Sequence, residues 1–344
     1  MLDGYSTNAM VAKIRSIYGK MLTREDLREL VAKRSVAEVA DHLSQTARFA
    51  EAMRDIDPNT IHRGMLERVL AEYNFNTYMR LTSFQGLENK PFYDFLINRC
   101  DVRELISLVN AVNNGLQESF VNAVPGYILK NSKLRFMMLA KCRTIDELTE
   151  ALKGTKYYKV FKGFKRTEDG KAFFTDAEVK LRTFFYEELM LAISDSFFGK
   201  EEDELTDLVK TEIDNRNIIN SYRLKAYFRY TPDEIRKTLL PFSKQGRHMM
   251  NKLYDAEDPA GMLVQLRKMP GGRFITEDMD SVESSLGQRM LATMRHVIAK
   301  TNSAPTALYA FEYICDTELK NIIRIIEGVR YDADPAYINK LLIT

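Results

Sequence analysis

Cys315-Asp-Thr-Glu-Leu-Lys-Asn-Ile-Ile-Arg-Ile-Ile-Glu-Gly-Val-Arg330, followed by Pro335-Ala-Tyr-Ile-Asn-Lys-Leu-Leu-Ile-Thr344, is the stretch on which the fold turns. Ile322, Ile323, Ile325 and Ile326 sit among Asn321, Arg324 and Glu327, a helical pattern that Gly328 is placed to end. Pro335 then opens a second, short helix. The same order occurs twice upstream, at Cys100-Asp-Val-Arg-Glu-Leu-Ile-Ser-Leu-Val109 with Pro125-Gly-Tyr-Ile128, and at Ile213-Asp-Asn-Arg-Asn-Ile-Ile219 with Pro232-Asp-Glu-Ile235. Each apolar helix is led by an acid, Asp101, Asp214 or Asp316, and trailed by a Pro-x-x-Ile element.

Two further triplets keep this order. Ser35-Val-Ala-Glu-Val-Ala-Asp-His-Leu43, Thr144-Ile-Asp-Glu-Leu-Thr-Glu-Ala-Leu152 and Asp258-Pro-Ala-Gly-Met-Leu-Val-Gln-Leu266 each open on a capping residue and end on Leu. Longer helices follow, striped at spacing four: Ile61, Met65, Val69 and Tyr73; Leu181, Phe185, Leu189, Ile193 and Phe197; Val282, Leu286, Met290, Met294 and Ile298. Three triplets recurring after roughly 110 residues predict an all-α chain of three related helical units, 1–115, 116–230 and 231–344. Such units either stack as a solenoid or close around an axis, and closure leaves an opening suited to a rod-like helical partner.

Between these elements the reading is local. Residues 8–32 read as one helix bent near Gly19, with Thr23 as a cap inside it, and a long helix is expected from Thr60 to Phe84. Gln85–Lys90 reads as a turn, Asn113-Asn-Gly115 as a helix stop and Pro270-Gly-Gly272 as a break leading to Phe274.

A chain of 344 residues has room for two or three ordinary cores. Lys and Arg number 50 against 48 Asp and Glu, a formal charge of +2. No field of one sign covers the surface, so capture of nucleic acid or anionic lipid would have to be local. The three cysteines, Cys100, Cys142 and Cys315, form no CxxC pair and point to reduced thiols. Cys100 and Cys315 share a repeat position with Ile213, and a slot that takes either residue reads as buried and apolar. Residues 1–7 lack the charge and apolar run of a signal peptide, and no run reaches the roughly 20 apolar residues of a membrane span. The chain is expected to be soluble.

The search for chemistry assigns no catalytic, cofactor-binding or metal-ligating residue. His42, His62, His248 and His296 fall in different elements, none with a second ligand at metal spacing. Gly163–Lys171 only superficially resembles a phosphate loop, because its glycine spacing is wrong and Ala172 replaces the hydroxyl residue. Asp101, Asp214 and Asp316 read as capping or hydrogen-bonding groups at helix junctions. Lys156–Phe174 stands apart, with aromatic and basic residues interleaved around a Glu168-Asp-Gly170 turn that suits a small hairpin. Three readings of it stay open: stacking the bases and gripping the phosphates of single-stranded nucleic acid, contacting a protein partner, or packing its rings while the Lys stems reach water.

Tyr5-Ser-Thr-Asn-Ala-Met-Val-Ala-Lys-Ile-Arg15 and Met21-Leu-Thr-Arg-Glu-Asp-Leu-Arg-Glu-Leu30, with Asn321-Ile-Ile-Arg-Ile-Ile-Glu-Gly328 and its Pro335-x-x-Ile338 tail, resemble the C subunit of prokaryotic V/A-type rotary ATPases, the equivalent of the eukaryotic d subunit. Asp214-Asn-Arg-Asn-Ile-Ile219 echoes the motif, and Glu104-Leu-Ile-Ser-Leu-Val-Asn110 departs from it. The resemblance implies a funnel of three pseudo-symmetric helical domains around a common axis. It implies a monomer in isolation, present as one copy per complex, with no cofactor and no nucleic-acid partner. Its place would be in the rotor on the cytoplasmic face of the membrane, between the central shaft (a coiled-coil protein and its small companion) and the proteolipid ring. A free-standing helical-repeat scaffold that binds protein or RNA through residues 156–174 is the alternative.

Overall fold

A computed structural model describes residues 2–83, 91–269, 272, 275 and 279–344. The expected turn at 85–90, and the break at 270–274 apart from Gly272, lie outside the described residues. In chain order the helices are α1 (Leu2–Tyr18), α2 (Arg24–Val31), α3 (Val36–Gln45), α4 (Arg63–Thr82), α5 (Phe95–Asn114), α6 (Gln117–Ala123), α7 (Gly126–Asn131), α8 (Phe136–Leu139) and α9 (Ile145–Ala151). They continue as α10 (Tyr158–Lys162), α11 (Phe174–Ser196), α12 (Lys200–Phe228), α13 (Pro232–Arg236), α14 (Arg247–Tyr254), α15 (Pro259–Lys268), α16 (Met279–Lys300), α17 (Ala304–Arg330) and α18 (Pro335–Leu341). A 3-10 turn at Pro91–Asp94 precedes α5. The fold is all-α; among the described residues the one β contact is an isolated antiparallel bridge between Arg166 and Ala172.

The caps are where the sequence puts them. Ser35 accepts the Glu38 N–H at 3.1 Å, Thr144 the Glu147 N–H at 3.1 Å and Asp258 the Gly261 N–H at 2.7 Å. Each cap supplies an acceptor to a backbone donor that the first helical turn leaves without one. The Leu eight residues beyond each, Leu43, Leu152 and Leu266, is buried, as are Ile128, Ile235 and Ile338 of the Pro-x-x-Ile elements. Gly115 takes the left-handed conformation, φ 70°, that ends α5 at the expected stop.

Three expectations change. Residues 8–32 form two helices rather than one, because Thr23 and Asp26 close a reciprocal capping box that starts α2 afresh. On α4 the fully buried positions are Leu66, Leu70 and Leu81; of the expected stripe, Ile61, just ahead of the helix, joins the core and Val69 and Tyr73 pack against it half-buried, while Met65 is exposed. Gly328 does not end α17, which runs on to Arg330. A Cβ at Gly328 would lie 2.5 Å from Ile338 Cδ1, so the glycine lets α18 seat Ile338 against α17.

The chain divides into two compact units, residues 1–88 with 258–344, and residues 89–257. In the first, one core joins the two ends of the sequence: Leu27, Leu30, Val39, Leu43, Leu66 and Leu70 pack with Ile322, Ile325, Ile326 and Ile338. The apolar face of α17 is thus covered by α2, α3 and α4. Arg15, at the end of α1, donates to Ile298 O at 3.0 Å and Thr301 O at 2.8 Å, serving carbonyls that the end of α16 leaves open. In the second unit, α5 packs along α11, and the α11 stripe of Leu181, Phe185, Leu189 and Ile193 is buried.

Ile325→Ala, at a site with no solvent exposure, should destabilise the first unit by about 2–5 kcal/mol. Hydrogen exchange should show the loss in α2, α3 and α4 as well as in α17, with the second unit unchanged; an effect confined to α17 would separate the two ends energetically.

Candidate functional site

Aligning the long helices on Asn217-Ile-Ile219 and Asn321-Ile-Ile323 exposes a repeated polar device. Asn217 donates through Nδ2 to Leu240 O at 3.0 Å and accepts the Leu240 N–H at 2.8 Å. Asn321 does the same to Ile343, at 2.7 and 3.0 Å. A carboxamide carries both a donor and an acceptor, so one side chain can satisfy both polar atoms of a buried residue, as a neighbouring backbone would. Asn113, at the far end of α5, closes a third clamp of this kind on Ala172, at 2.8 and 3.1 Å.

A buried acid lies three residues before each of the two aligned Asn. Asp214 accepts the Ser243 hydroxyl at 2.5 Å and the N–H groups of Lys244 and Gln245, both at 3.0 Å. Glu318 accepts the Leu22 N–H at 2.8 Å and Arg48 Nε at 3.0 Å. Burial pushes both carboxyls above their ordinary values, and the hydrogen bonds oppose it. The repeated acids are therefore Asp101, Asp214 and Glu318. Asp316 instead sits half-exposed, paired with Lys320 at 2.5 Å on its own helix. The signal for the true register was the Asn-Ile-Ile triplet, and with it Ile213 aligns with Thr317 rather than Cys315. Cys100, Ile213 and Cys315 are all buried, as expected, and burial pushes the Cys315 thiol up to about 12.

Arg48 is the residue that the sequence reading missed. It is 1% exposed, on the segment after α3, and its guanidinium meets Glu318, Asn74 Oδ1 at 2.6 Å and Cys315 Sγ at 3.4 Å. The Phe49 and Tyr73 rings flank it at 5.1 and 5.3 Å. The second unit has its own buried network: Glu212 accepts from Arg216 at 2.9 Å and Tyr186 at 3.0 Å and pairs with Arg99 at 3.4 Å. Nothing in either network resembles a nucleophile and base; both tie helices together.

The α5 junction is the odd one. Glu104 stands in the Asn slot, buried and paired with Arg103 at 3.1 Å. Asp101, 4% exposed, keeps one oxygen, Oδ1, without a hydrogen-bond partner among the described residues. Burial pushes its carboxyl up to about 6, against the pull of the Ser132 hydroxyl and Lys156.

Within the 156–174 segment, after α10, residues 166–172 make the expected small hairpin, with Gly170 at φ 80° and the Thr167 and Lys171 backbones joined at 2.8 Å. Tyr157, Phe161 and Phe164 are buried, whereas Phe173 and Phe174 are exposed. Lys156, Lys165, Arg166 and Lys171 each face a carboxylate. Buried rings and paired cations leave little for stacking bases and gripping phosphates, and the packing reading fits best.

Among the described residues no group of His, Cys, Asp and Glu has metal-binding geometry. His62 caps α4, its Nδ1 accepting the Met65 N–H at 3.3 Å. The cleft beside Glu318, about 330 Å³, is lined by Tyr18, Leu22, Leu291, Arg295 and Asn321, a mixture without convergent catalytic groups.

Residues 10–341 match the family described as ATP synthase (C/AC39) subunit. The A-type ATP synthase C subunit of Thermococcus onnurineus is 24% identical over 296 residues, 85% of this chain and 75% of that protein. That of Pyrococcus furiosus is 23% identical over 327 residues, 92% and 85% of the two chains. That of Methanocaldococcus jannaschii is 24% identical over 348 residues, 97% and 85%.

Arg48→Ala should cost the first unit about 3–5 kcal/mol, because Glu318 is left buried without its cation, while Arg48→Met with Glu318→Leu should recover most of the loss; chemical denaturation followed by hydrogen exchange reads both. For Asp101 the folded value of about 6 lies above the ordinary 3.8. Its charged form is thus the costly one in the fold, and the stability it contributes is gained as pH falls below about 6 and lost as pH rises through it. Asp101→Asn should flatten this dependence and stabilise the second unit at about pH 7.5 by on the order of 1–3 kcal/mol.

Proposed function

The chain belongs to the ATP synthase (C/AC39) subunit family, and on that premise we propose that this non-catalytic component is the socket of the central stalk in an A-type ATP synthase. In this reading it seats the end of the coiled-coil shaft and its small companion on one side. It grips the membrane proteolipid ring on the other, at the cytoplasmic face, and passes torque between them so that ATP chemistry and ion translocation are coupled. The units 1–115, 116–230 and 231–344 would surround a common axis as a funnel, one copy per complex.

The observation that carries the reading is the family match across 10–341, and the junction chemistry supports it. A part that transmits torque must resist internal shear. α5, α12 and α17 each carry a buried acid, and on α12 and α17 an Asn is closed on a single backbone residue, contacts that cost free energy to break and leave buried groups unsatisfied when broken. α12 and α17 are each about 40 Å long, which spreads a load across a unit. No described helix is long and apolar enough to cross a membrane, so contact with a ring would be made from outside the bilayer. A threefold body facing a ring of another symmetry favours many imperfect contacts over a few tight ones.

Membranes from cells lacking this protein should keep ATP hydrolysis in the detached catalytic part while losing ATP-driven ion uptake, and adding back the purified chain should restore uptake. The chain alone should turn over no ATP. Undiminished uptake in its absence would contradict the proposal.

A further inference from the structure

The cleft beside Glu318 lies wholly within the first unit. Leu22 and Leu27 near the start of the chain, Leu291 on α16, Ile314 on α17 and Ile343 at the chain end give it an apolar wall. Most polar groups along it are already engaged. Glu318 accepts the Leu22 N–H on one oxygen and Arg48 on the other, and Asn321 is closed on Ile343. The Thr317 hydroxyl donates to Tyr313 O at 2.9 Å and the Thr23 hydroxyl to Asp26 at 2.7 Å. Two donors in the lining stand apart: among the described residues neither the Arg295 guanidinium nor the Tyr18 hydroxyl has a hydrogen-bond or ion-pair partner. Both residues are half-buried. Arg295 follows Leu291 by one helical turn on α16, so the two lie on the same face. Since Arg48 answers Glu318, Arg295 leaves the cleft with one positive charge uncompensated.

We propose that this cleft binds a small carboxylate with a short apolar tail, Arg295 and Tyr18 donating to its oxygens and the tail lying along Leu22, Leu27, Leu291 and Ile343. A guanidinium presents a planar fork of donors that matches the two oxygens of a carboxylate. One cation answers one charge, whereas a phosphate dianion would bring a second, unpaired charge beside Glu318. A volume of about 330 Å³ is at the small end of ligand sites, which keeps the tail short. The ligand would touch the connection between α1 and α2, both long helices α16 and α17, and the chain end, so binding stabilises the first unit by mass action. This is a property of the first unit itself and does not rest on the socket reading.

Methyl NMR on the full-length chain, titrated with hexanoate, tests this. The methyls of Leu22, Leu27, Leu291, Ile314 and Ile343 should shift and saturate together, while those of the second unit stay still. Hexanamide, which has the same shape without the charge, should bind at least about tenfold more weakly. Arg295→Met keeps the stem and should cost about tenfold in hexanoate affinity, and Tyr18→Phe about threefold. Methyl shifts remote from the cleft report that both variants are folded. A short apolar peptide with a free C-terminus, run beside hexanoate, shows by the tighter binder whether the carboxylate comes from a chain end or a free acid. Absence of saturable shifts with either carboxylate, equal affinity for hexanoate and hexanamide, tighter binding of inorganic phosphate, or undiminished affinity in Arg295→Met would overturn the proposal.

Discussion

The closure of Asn321 on both backbone polar atoms of Ile343 is the constraint around which the first unit is arranged. A buried backbone residue outside a helix needs a donor and an acceptor at fixed positions, and one carboxamide supplies both. Once Asn321 faces Ile343, α17 is fixed in rotation. Ile322, Ile325 and Ile326 then face α2, α3 and α4, and Glu318, one helical turn back, reaches Leu22 and Arg48. The segment entering α2 and the end of the chain are therefore held by one face of one helix. Asn217 and Asp214 repeat the arrangement on α12.

Much of this was legible in the sequence, and the parts that were not have physical causes. Caps at Ser35, Thr144 and Asp258 were readable because an N-cap acts within three residues, where sequence and space coincide. The Pro-x-x-Ile elements and the stripes on α11 and α16 were readable for the same reason. On α4 the choice between two apolar faces was made at long range: Asn74 reaches Arg48 and the Cys315 carbonyl, which turns Leu66 and Leu70 inward and Met65 out. Arg48 gave no signal in the sequence because its partner Glu318 lies 270 residues away in the chain. Asp316 stood out over Glu318 because a leading Asp is a common local signal, whereas the clamp that fixes the register is a contact with a residue beyond the helix. Gly328 read as a stop from composition alone, and only the approach of Ile338 shows it to be a packing residue.

Family membership and the junctions bear on function in different ways. Membership makes the chain a non-catalytic subunit of the ATP synthase (C/AC39) family. The junctions describe a body whose long helices are pinned by polar contacts rather than by apolar packing alone. Apolar faces slide past one another at modest cost, whereas a clamp such as Asn217 on Leu240 has one satisfied position and penalises displacement. That is the mechanical property a torque-bearing part needs, and it requires no reactive group.

Single-molecule rotation of the assembled synthase tests the central claim most directly. With a probe on an engineered surface cysteine of this protein and the catalytic part fixed to glass, ATP should drive the probe around in step with the shaft. A probe that stays still while the shaft turns would place the protein in the stator and contradict the account.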